Sequence, residues 1–342
     1  DVVRIPSIRH FDGGAFSMAL PLGFDLPGRL DDFAPDIIHS HHPYLLGATA
    51  LRAAAVRQRP LVFTHHTMYE HYTHYTPLHL ATFKAYVARL ATGYANLSDR
   101  VIAPSPSTAE ELRARGVQTP IDVAPTGVEV DEFANGDGET FRRRIGLPID
   151  AEVIGHVGRL GGEKNLRFLI GAICKTMERN ERIWFLVVGD GEARDPMQAQ
   201  LRDQGLLNRT RFAGVCRGRR LADAYHAMDV MAFASKTETQ GLVLIEAMSA
   251  GRPVVALDAP GAREVVRDGV NGHLLRREDP LMFAEAIGQL LRGTERQRDE
   301  IARAARATAG DYETSRCVER LLDAYQSALA DWSAPTDRET EW

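Results

Sequence analysis

The sequence predicts an α/β protein with two doubly wound parallel sheets. Short apolar runs alternate with helical patterns along the chain, and most of these runs end in a polar turn with glycine. The chain has 342 residues, 44% of them hydrophobic, which is enough to fill two cores. A net charge of −5 argues against nucleic acid as a partner.

The front half contains three predicted strands with polar carboxyl ends, at residues 36–43, 60–70 and 100–105. Seven histidines fall between His39 and His74 inclusive. No pair of them has the helical H-E-x-x-H spacing and no cysteine is nearby, so we predict no metal site. We expect these histidines to hydrogen-bond a polar ligand instead.

The rear half begins with a predicted strand at residues 153–158, a glycine-rich turn that ends at Lys164 and a helix from Asn165. Arg159 and Lys164 flank the turn. Two fixed cations beside helix amides would neutralise a diphosphate as its bond to a sugar breaks. The alternative is a surface basic pair at an ordinary βα turn.

Three further βα units follow, with strands at residues 185–188, 211–214 and 253–256. Strand and helix patterns that alternate at this pace predict a parallel, doubly wound sheet. The turn after the first of these strands, Gly189-Asp190-Gly191, lacks the full G-x-G-x-x-G spacing. We therefore predict a tight turn there and not a dinucleotide site.

The most informative segment is a buried strand at residues 230–234, a polar turn at residues 235–241 and a helix at residues 242–250. Ligands of open α/β sheets bind at this end of a strand. Gly241 lets the backbone approach a ligand, the helix amides suit a phosphate, and Glu238 and Glu246 can accept hydrogen bonds from sugar hydroxyls. A diphosphate plus a polyol indicates a nucleotide sugar. Alternatively, Glu246 is an ordinary helix glutamate and Glu238 a charge favoured by the helix dipole.

This turn with its paired glutamates resembles the E-x7-E signature of the retaining family-four glycosyltransferases, which have the GT-B fold of two facing Rossmann-like domains. The resemblance implies that Glu238 contacts the transferred hexose and that Glu246 holds the ribose diol. The turn from Gly158 to Lys164 resembles the family's Gly-Arg-Leu…Glu-Lys-Asn element, whose arginine and lysine bind the diphosphate. The donor-binding residues implied in this way are Gly158, Arg159, Lys164, Val215, Cys216, Glu238, Thr239, Gln240, Gly241, Leu242 and Glu246.

The acceptor side is predicted in the front half. His66, in the phrase His65-His66-Thr67, stands where the family places a histidine that faces the reacting sugar. Residues 67–75, together with residues 235–241, look most like the bacterial diacylglycerol glucosyltransferases, which implies a lipid acceptor near Tyr69 and Tyr72. The alternative is that these tyrosines form an aromatic ridge that packs between domains.

The resemblance implies transfer of a hexose, glucose with UDP as its carrier, to a hydroxyl acceptor with retention of the α anomer. His66, Glu238, Arg159 and Lys164 are the expected catalytic residues. No Asp-x-Asp motif occurs, so we expect neither a catalytic metal nor a cofactor. The alternatives are a mannosyltransferase that uses GDP-mannose, a nucleotide-sugar epimerase or hydrolase, and a non-catalytic nucleotide-sugar-binding module.

We expect a Rossmann-like acceptor domain at residues 1–135 that lacks its first βα unit, and a Rossmann-like donor domain at residues 136–311. A helix at residues 312–332 should cross back to the front domain, and residues 333–342 should form a disordered tail. Three scattered cysteines and no run of twenty apolar residues predict a cytoplasmic protein. A lipid acceptor would require peripheral contact with the inner face of the plasma membrane. Acidic side chains outnumber basic ones over residues 1–150, so charge alone would not hold the chain there.

Overall fold

The computed structural model of the chain describes residues 2–9, 17–19, 26–68 and 81–332. The chain divides into two compact units. The first unit comprises Asp1–Pro125 and Val318–Trp342, and the second unit comprises Thr126–Cys317. The sequence placed these boundaries at residues 135/136 and 311/312. The predicted tail at residues 333–342 lies outside the described residues.

The first unit contains a four-stranded parallel sheet in the described part of the chain, with strand order β3-β4-β5-β6. A separate antiparallel pair, β1 and β2, precedes it. The strands are β1 (Ser7–Arg9), β2 (Ser17–Ala19), β3 (Ile38–Ser40), β4 (Leu61–Thr64), β5 (Arg100–Ala103) and β6 (Ile121–Val123). The helices between them are α1 (Leu26–Phe33), α2 (Leu46–Arg57), α3 (Ala81–Leu97) and α4 (Pro106–Ala114).

The second unit contains a six-stranded parallel sheet among the described residues, with strand order β12-β11-β10-β7-β8-β9. Its strands are β7 (Glu152–Val157), β8 (Ile183–Val188), β9 (Thr210–Gly214), β10 (Val230–Phe233), β11 (Val254–Leu257) and β12 (Gly272–Leu275). Its helices are α5 (Val130–Ala134), α6 (Gly138–Ile145), α7 (Leu166–Glu178), α8 (Arg194–Asp203), α9 (Arg219–His226), α10 (Leu242–Ser249), α11 (Pro280–Arg292) and α12 (Glu295–Gly310). The last helix, α13 (Thr314–Asp331), begins in the second unit and continues into the first.

The sheet of the second unit is buried on both faces. Along β8, Phe185 and Val187 pack into one apolar cluster, and Leu186 and Val188 pack into another on the opposite face. This alternation follows from the two-residue period of a strand. A strand that is covered on both faces is predominantly apolar, which is why the central strands were predictable from sequence as apolar runs.

The edge strand β12 was not predicted. Among the described strands its neighbour is β11, and three of its four residues are half-buried. Its sequence, Gly-His-Leu-Leu, contains only two apolar residues in succession. A short edge strand of this kind gives little periodicity for a sequence analysis to detect.

The helix α13 packs on the first sheet through small residues. Ala324 and Ala328 are buried against Val62 and Ile102. The sequence indicates four apolar positions on this helix. Of these, Leu321 and Tyr325 pack against the same cluster, whereas Val318 and Leu322 are 44% and 49% exposed.

Arg100 also ties α13 to the first sheet. Its buried guanidinium donates hydrogen bonds to Asp122 on β6 at 2.8 Å and to Asp331 at 2.6 Å. One cation thus links two neighbouring strands and the end of the helix. No helix in the described part of the chain has the length and apolar character needed to cross a membrane.

Candidate active site

The candidate donor site lies at the carboxyl-terminal edge of the second sheet. Strands β7 and β10 are neighbours, with Val230 opposite Ile154. The turns that follow them, residues 158–164 and residues 235–241, therefore lie side by side although they are distant in sequence. These two turns carry most of the residues that the sequence assigned to the donor.

Lys164 and Glu238 form an ion pair across these turns. The Lys164 Nζ donates to Glu238 Oε1 at 2.5 Å, and the two side chains are only 13% and 19% exposed. This partial burial reduces screening by water and makes the pair stronger than a surface ion pair. The sequence assigned one residue to the diphosphate and the other to the hexose but did not indicate that they bind each other.

Arg159 lies on the same turn, where its Nη2 donates to Glu163 Oε1 at 2.5 Å. The Arg159 side chain is 42% exposed, whereas that of Glu163 is 4% exposed. The guanidinium is therefore held at the surface by a buried carboxylate. Gly158 precedes it at the end of β7, so the arginine emerges directly from the sheet edge.

Close backbone packing fixes the turn before α10. Gly241 has φ of 76°, in the left-handed region, and a Cβ there would lie 2.8 Å from the Gly261 carbonyl oxygen. Glycine is thus required both by conformation and by space. Gly241 is the N-cap residue of α10 and provides no side-chain cap. The first amides of the helix remain available to an anion.

Gln240 is committed to another part of the backbone. Its side-chain oxygen accepts from the Thr126 N–H at 2.8 Å, and its Nε2 donates to the Thr126 carbonyl at 2.6 Å. The buried amide group therefore anchors the turn after β10 to the start of the second unit. Its neighbours Thr239 and Leu242 are half-buried and 36% exposed, respectively.

Glu246 lies one helical turn after Leu242 on α10. Its Oε2 accepts a hydrogen bond from the hydroxyl of the fully buried Tyr225 at 2.6 Å. Burial raises the pKa of Glu246, the Tyr225 hydrogen bond lowers it, and the nearby charge of Glu132 raises it. Sequence analysis did not identify Tyr225, and its only signal was an aromatic residue near the end of a helix.

Val215 and Cys216 follow β9 at the same edge of the sheet. Val215 is 57% exposed, while Cys216 is buried. Burial raises the pKa of the Cys216 thiol, so the sulfur is protonated and unreactive at neutral pH.

Two further groups at this edge were missed by the sequence analysis. Glu278, in the turn after β12, accepts hydrogen bonds from Asn165 at 2.9 Å and from Lys236, and these bonds lower its pKa. His156, on β7, is buried and donates from Nδ1 to the Ala232 carbonyl at 3.2 Å. Burial lowers the His156 pKa to about 4, so the ring is neutral. A histidine within an apolar strand was the signal that could have revealed it.

The predicted acceptor residue His66 belongs to the first unit. Its Nε2 lies 2.8 Å from His41 Nδ1, and the two rings stack with centroids 5.1 Å apart. His39 lies against His41 and bonds Tyr325 at 2.6 Å and Thr64 at 2.7 Å. The sequence placed these histidines at the ends of the correct strands but did not indicate that His41 and His66 contact each other. Tyr69 and Tyr72 lie outside the described residues.

Burial lowers the pKa of all three of these histidines, to about 3 for His39. Their rings are therefore neutral at pH 7, and the hydrogen bond between His41 and His66 uses one N–H and one lone pair. Within the described residues, no group of three or more histidine, cysteine or carboxylate side chains is arranged to hold a metal ion.

Two parallel α/β domains, the second with cations, free helix amides and two carboxylates at its sheet edge, define a GT-B protein of the nucleotide-sugar type. Residues 1–132 match the family described as Glycosyltransferase Family 4, and residues 151–293 match Glycosyl transferases group 1. The chain belongs to glycosyltransferase family 4.

Two curated relatives show what the chain is similar to. The alpha-monoglucosyldiacylglycerol synthase of Streptococcus pneumoniae is 27% identical over 295 residues, which cover 83% of this chain and 65% of that protein. The D-inositol 3-phosphate glycosyltransferase of Mycobacterium leprae is 31% identical over 343 residues, which cover 91% of this chain and 77% of that protein. The chain thus spans less than two thirds of the first relative.

Solved structures give the same fold. Anabaena Alr3699/HepE in complex with UDP superposes with a TM-score of 0.75 at 26% identity, covering 88% of this chain and 82% of that one. The same protein has been solved with UDP-glucose, with a TM-score of 0.74. Sucrose-phosphate synthase from Thermosynechococcus elongatus has a TM-score of 0.72 at 20% identity, covering 89% and 76% of the two chains, which supports the fold alone.

Proposed function

We propose that this chain transfers a hexose, glucose in the first instance, from a UDP sugar to a hydroxyl acceptor with retention of the α anomer. One observation carries the proposal: Lys164 and Glu238 are joined at 2.5 Å at the sheet edge where Arg159 and the start of α10 also lie. This arrangement places positive charge, backbone donors and a carboxylate within reach of one ligand.

The diphosphate is the part of the donor that the cations suit. An ammonium has three donors, and Lys164 uses one of them on Glu238. It can therefore bind a phosphate oxygen without releasing the carboxylate. Arg159, partly exposed and held by Glu163, would bind a second phosphate oxygen. These groups would stabilise the charge that develops on the leaving diphosphate and would take the electrostatic role of a metal ion.

The sugars are the parts that the carboxylates suit. Glu238 offers Oε2, since its Oε1 is bound to Lys164, and Glu246 offers Oε1, since its Oε2 is bound to Tyr225. Each free oxygen can accept hydrogen bonds from hydroxyls of a ring. Glu238 lies beside the diphosphate cations, so it fits the hexose, and Glu246 fits the ribose. The neighbouring structure of Anabaena Alr3699/HepE binds UDP-glucose, which supports UDP as the carrier.

The proposed chemistry is a front-face displacement. The acceptor oxygen forms a bond to C1 of the hexose on the face from which the phosphate oxygen departs. The bond between C1 and that phosphate oxygen breaks, and the phosphate receives the acceptor proton. Glu238 is tied to Lys164 and so is poorly placed to act as a nucleophile in a double displacement. His66, fixed by His41, would position the acceptor.

A lipid hydroxyl is the acceptor that we favour. The relative from Streptococcus pneumoniae is named as a synthase of a glucosylated diacylglycerol. In the first unit, Tyr86, Leu90 and Leu97 of α3 are 57%, 42% and 63% exposed, and their spacing places them on one face of the helix. Such a face suits the surface of a bilayer. The three cysteines are buried and form no disulfide among the described residues, which fits a reducing compartment, so we place the protein at the inner face of the plasma membrane.

Inositol 3-phosphate is the second candidate acceptor, because the relatives at 31% identity carry that name. The two acceptors are distinguished by one assay. UDP-glucose labelled in the sugar is incubated with diacylglycerol in detergent micelles or with inositol 3-phosphate, with GDP-mannose as the donor control. Label in the lipid extract, with an α-anomeric proton in the NMR spectrum of the product, supports the proposal, and a parallel reaction in EDTA tests metal independence.

Three results would contradict the proposal. Release of UDP without a labelled acceptor indicates a hydrolase, and a change in the sugar while it remains attached to UDP indicates an epimerase. Binding of UDP-glucose without turnover on either acceptor indicates a binding module.

A further inference from the structure

Tyr225 lies at the end of α9 and is completely buried. Its ring packs edge-on against Phe133 with centroids 5.8 Å apart, and its hydroxyl reaches Glu246 Oε2 at 2.6 Å. A buried tyrosine ring is held by packing, so its hydroxyl is delivered to a fixed point. We propose that Tyr225 is a positioning residue that holds the Glu246 carboxylate ready for the two hydroxyls of the nucleotide ribose. This inference rests on the proposed function.

The Tyr225 hydroxyl donates its hydrogen bond to Glu246. The Tyr225 hydroxyl has one proton and two acceptors, Glu246 Oε2 at 2.6 Å and the Val243 carbonyl at 3.2 Å. An ionised carboxylate at the shorter distance is the stronger acceptor, so it takes the proton. Burial and the charge of Glu132 raise the pKa of Glu246, and the Tyr225 hydrogen bond opposes them in part.

The hydrogen bond also decides which oxygen is free. Oε2 is occupied by Tyr225, and Oε1 has no hydrogen-bond partner among the described residues. The side chain thus presents one acceptor oxygen with a fixed orientation. A glutamate without this restraint would lose rotamer freedom on binding the ribose, and that loss would weaken the complex. Tyr225 would remove the loss in advance without touching the ligand.

The test compares two ligands, UDP and 2′,3′-dideoxy-UDP, by isothermal titration calorimetry on the whole chain. The wild-type protein should bind UDP at least about tenfold more tightly, because hydrogen bonds to a charged group are lost with the ribose hydroxyls. In Tyr225→Phe, UDP should bind about five- to tenfold more weakly while 2′,3′-dideoxy-UDP binds as before. The KM for the donor should rise by a similar factor with kcat unchanged.

Two further variants separate positioning from structure. Tyr312→Phe removes another tyrosine hydroxyl of the second unit, which donates to the Glu264 carbonyl at 3.2 Å. It should lower Tm without changing the preference for UDP. In a Glu246→Ala background, Tyr225→Phe should no longer change that preference, because the acceptor group that it positions is gone.

The outcomes are distinguishable. If Tyr225→Phe prefers UDP over 2′,3′-dideoxy-UDP as strongly as the wild-type protein does, the inference is overturned while the proposed function stands. Equal weakening of both ligands in Tyr225→Phe also overturns it, since that result indicates a general loss of structure. If the wild-type protein binds UDP and its dideoxy analogue equally, Glu246 does not bind the ribose hydroxyls, and the inference is overturned. Wild-type protein that binds neither overturns the proposed function first.

Discussion

Lys164 and Glu238 are 74 residues apart in the chain and form a hydrogen-bonded ion pair at 2.5 Å. The pair exists because β7 and β10 are adjacent in the sheet, so the turns at their carboxyl ends meet. Neither residue is free to act alone. Removing one leaves the other partly buried without its partner, so the effect of a substitution at either position includes the loss of this ion pair.

Lys164→Ala should lower kcat by at least about a hundredfold, because the ammonium is expected to bind the diphosphate most strongly as it departs. The measurement is steady-state turnover of UDP-glucose with the acceptor identified in the labelled assay. Lys175→Ala is the matched control, since Lys175 lies in the last turn of α7, away from the turn that carries Lys164. Unchanged turnover in Lys164→Ala would show that Lys164 does not take part in the reaction.

Glu238→Gln should weaken binding of the hexose without weakening binding of the nucleotide. The substitution keeps the shape of the side chain and releases Lys164 from its ion pair. We expect the affinity for UDP to stay the same or to rise, and the affinity for UDP-glucose and the turnover to fall. Calorimetry with both ligands tests this expectation. Equal weakening of UDP and UDP-glucose would mean that Glu238 acts on the nucleotide and not on the sugar.

The parts of this site that were predictable from sequence are local. A buried strand, a glycine turn and a helix start follow one another at residues 230–250, and their order along the chain specifies the backbone of the turn. The strands β7 and β8 were predictable because each contains a short, predominantly apolar run, as a buried strand does.

The contacts that were not predictable join residues far apart in the chain. The sequence assigned Gln240 to the donor but gave no sign that both ends of its amide bind Thr126, 114 residues away. Tyr225 and Glu246 are on different helices, and the periodicity of neither helix reports the other. The pair forms because α9 and α10 pack side by side in the apolar core of the second unit.

Gly241→Ala should disrupt the start of α10. A residue with a Cβ at φ of 76° is strained, and the new atom would lie 2.8 Å from the Gly261 carbonyl. We expect a free energy of unfolding lower by about 1–3 kcal/mol and weaker binding of UDP. Gly171→Ala, inside α7, is the matched control: its Cβ meets nothing within 4 Å, and it should raise stability by up to about 1 kcal/mol. Chemical unfolding of both variants checks the opposite signs, and a neutral Gly241→Ala would show that the turn is not constrained.

His66→Ala should act on the acceptor and not on the donor. His66 lies in the first unit, where its hydrogen bond with His41 at 2.8 Å fixes its ring. We expect turnover to fall by about ten- to a hundredfold while the calorimetric affinity for UDP stays unchanged. His41→Phe should give a smaller fall in turnover, since it frees the ring without removing it. A loss of UDP affinity in His66→Ala would place the residue on the donor instead.

His156 gives a prediction for the dependence of stability on pH. Burial lowers its pKa from 6.5 to about 4, so the folded protein excludes a proton that the unfolded chain binds. Below pH 6.5 the unfolded chain holds more protons, and the free energy of unfolding falls as the pH falls. The contribution of neutral His156 to the free energy of unfolding is fully present above pH 6.5. It is lost progressively as the pH falls to about 4, and the total loss is about 3 kcal/mol.

Two measurements test this behaviour of His156. In NMR titrations its ring resonances, assigned by their absence from His156→Phe, should not shift between pH 8 and about pH 5, because the ring stays neutral. Urea unfolding of wild-type protein should weaken between pH 7 and pH 5, and His156→Phe should weaken less over the same interval. A ring that titrates near pH 6.5 would show that water reaches Nε2, which lacks a hydrogen-bond partner among the described residues. Because β7 leads directly into the turn with Arg159 and Lys164, that result would also mean that the strand supporting the cations is not closely packed.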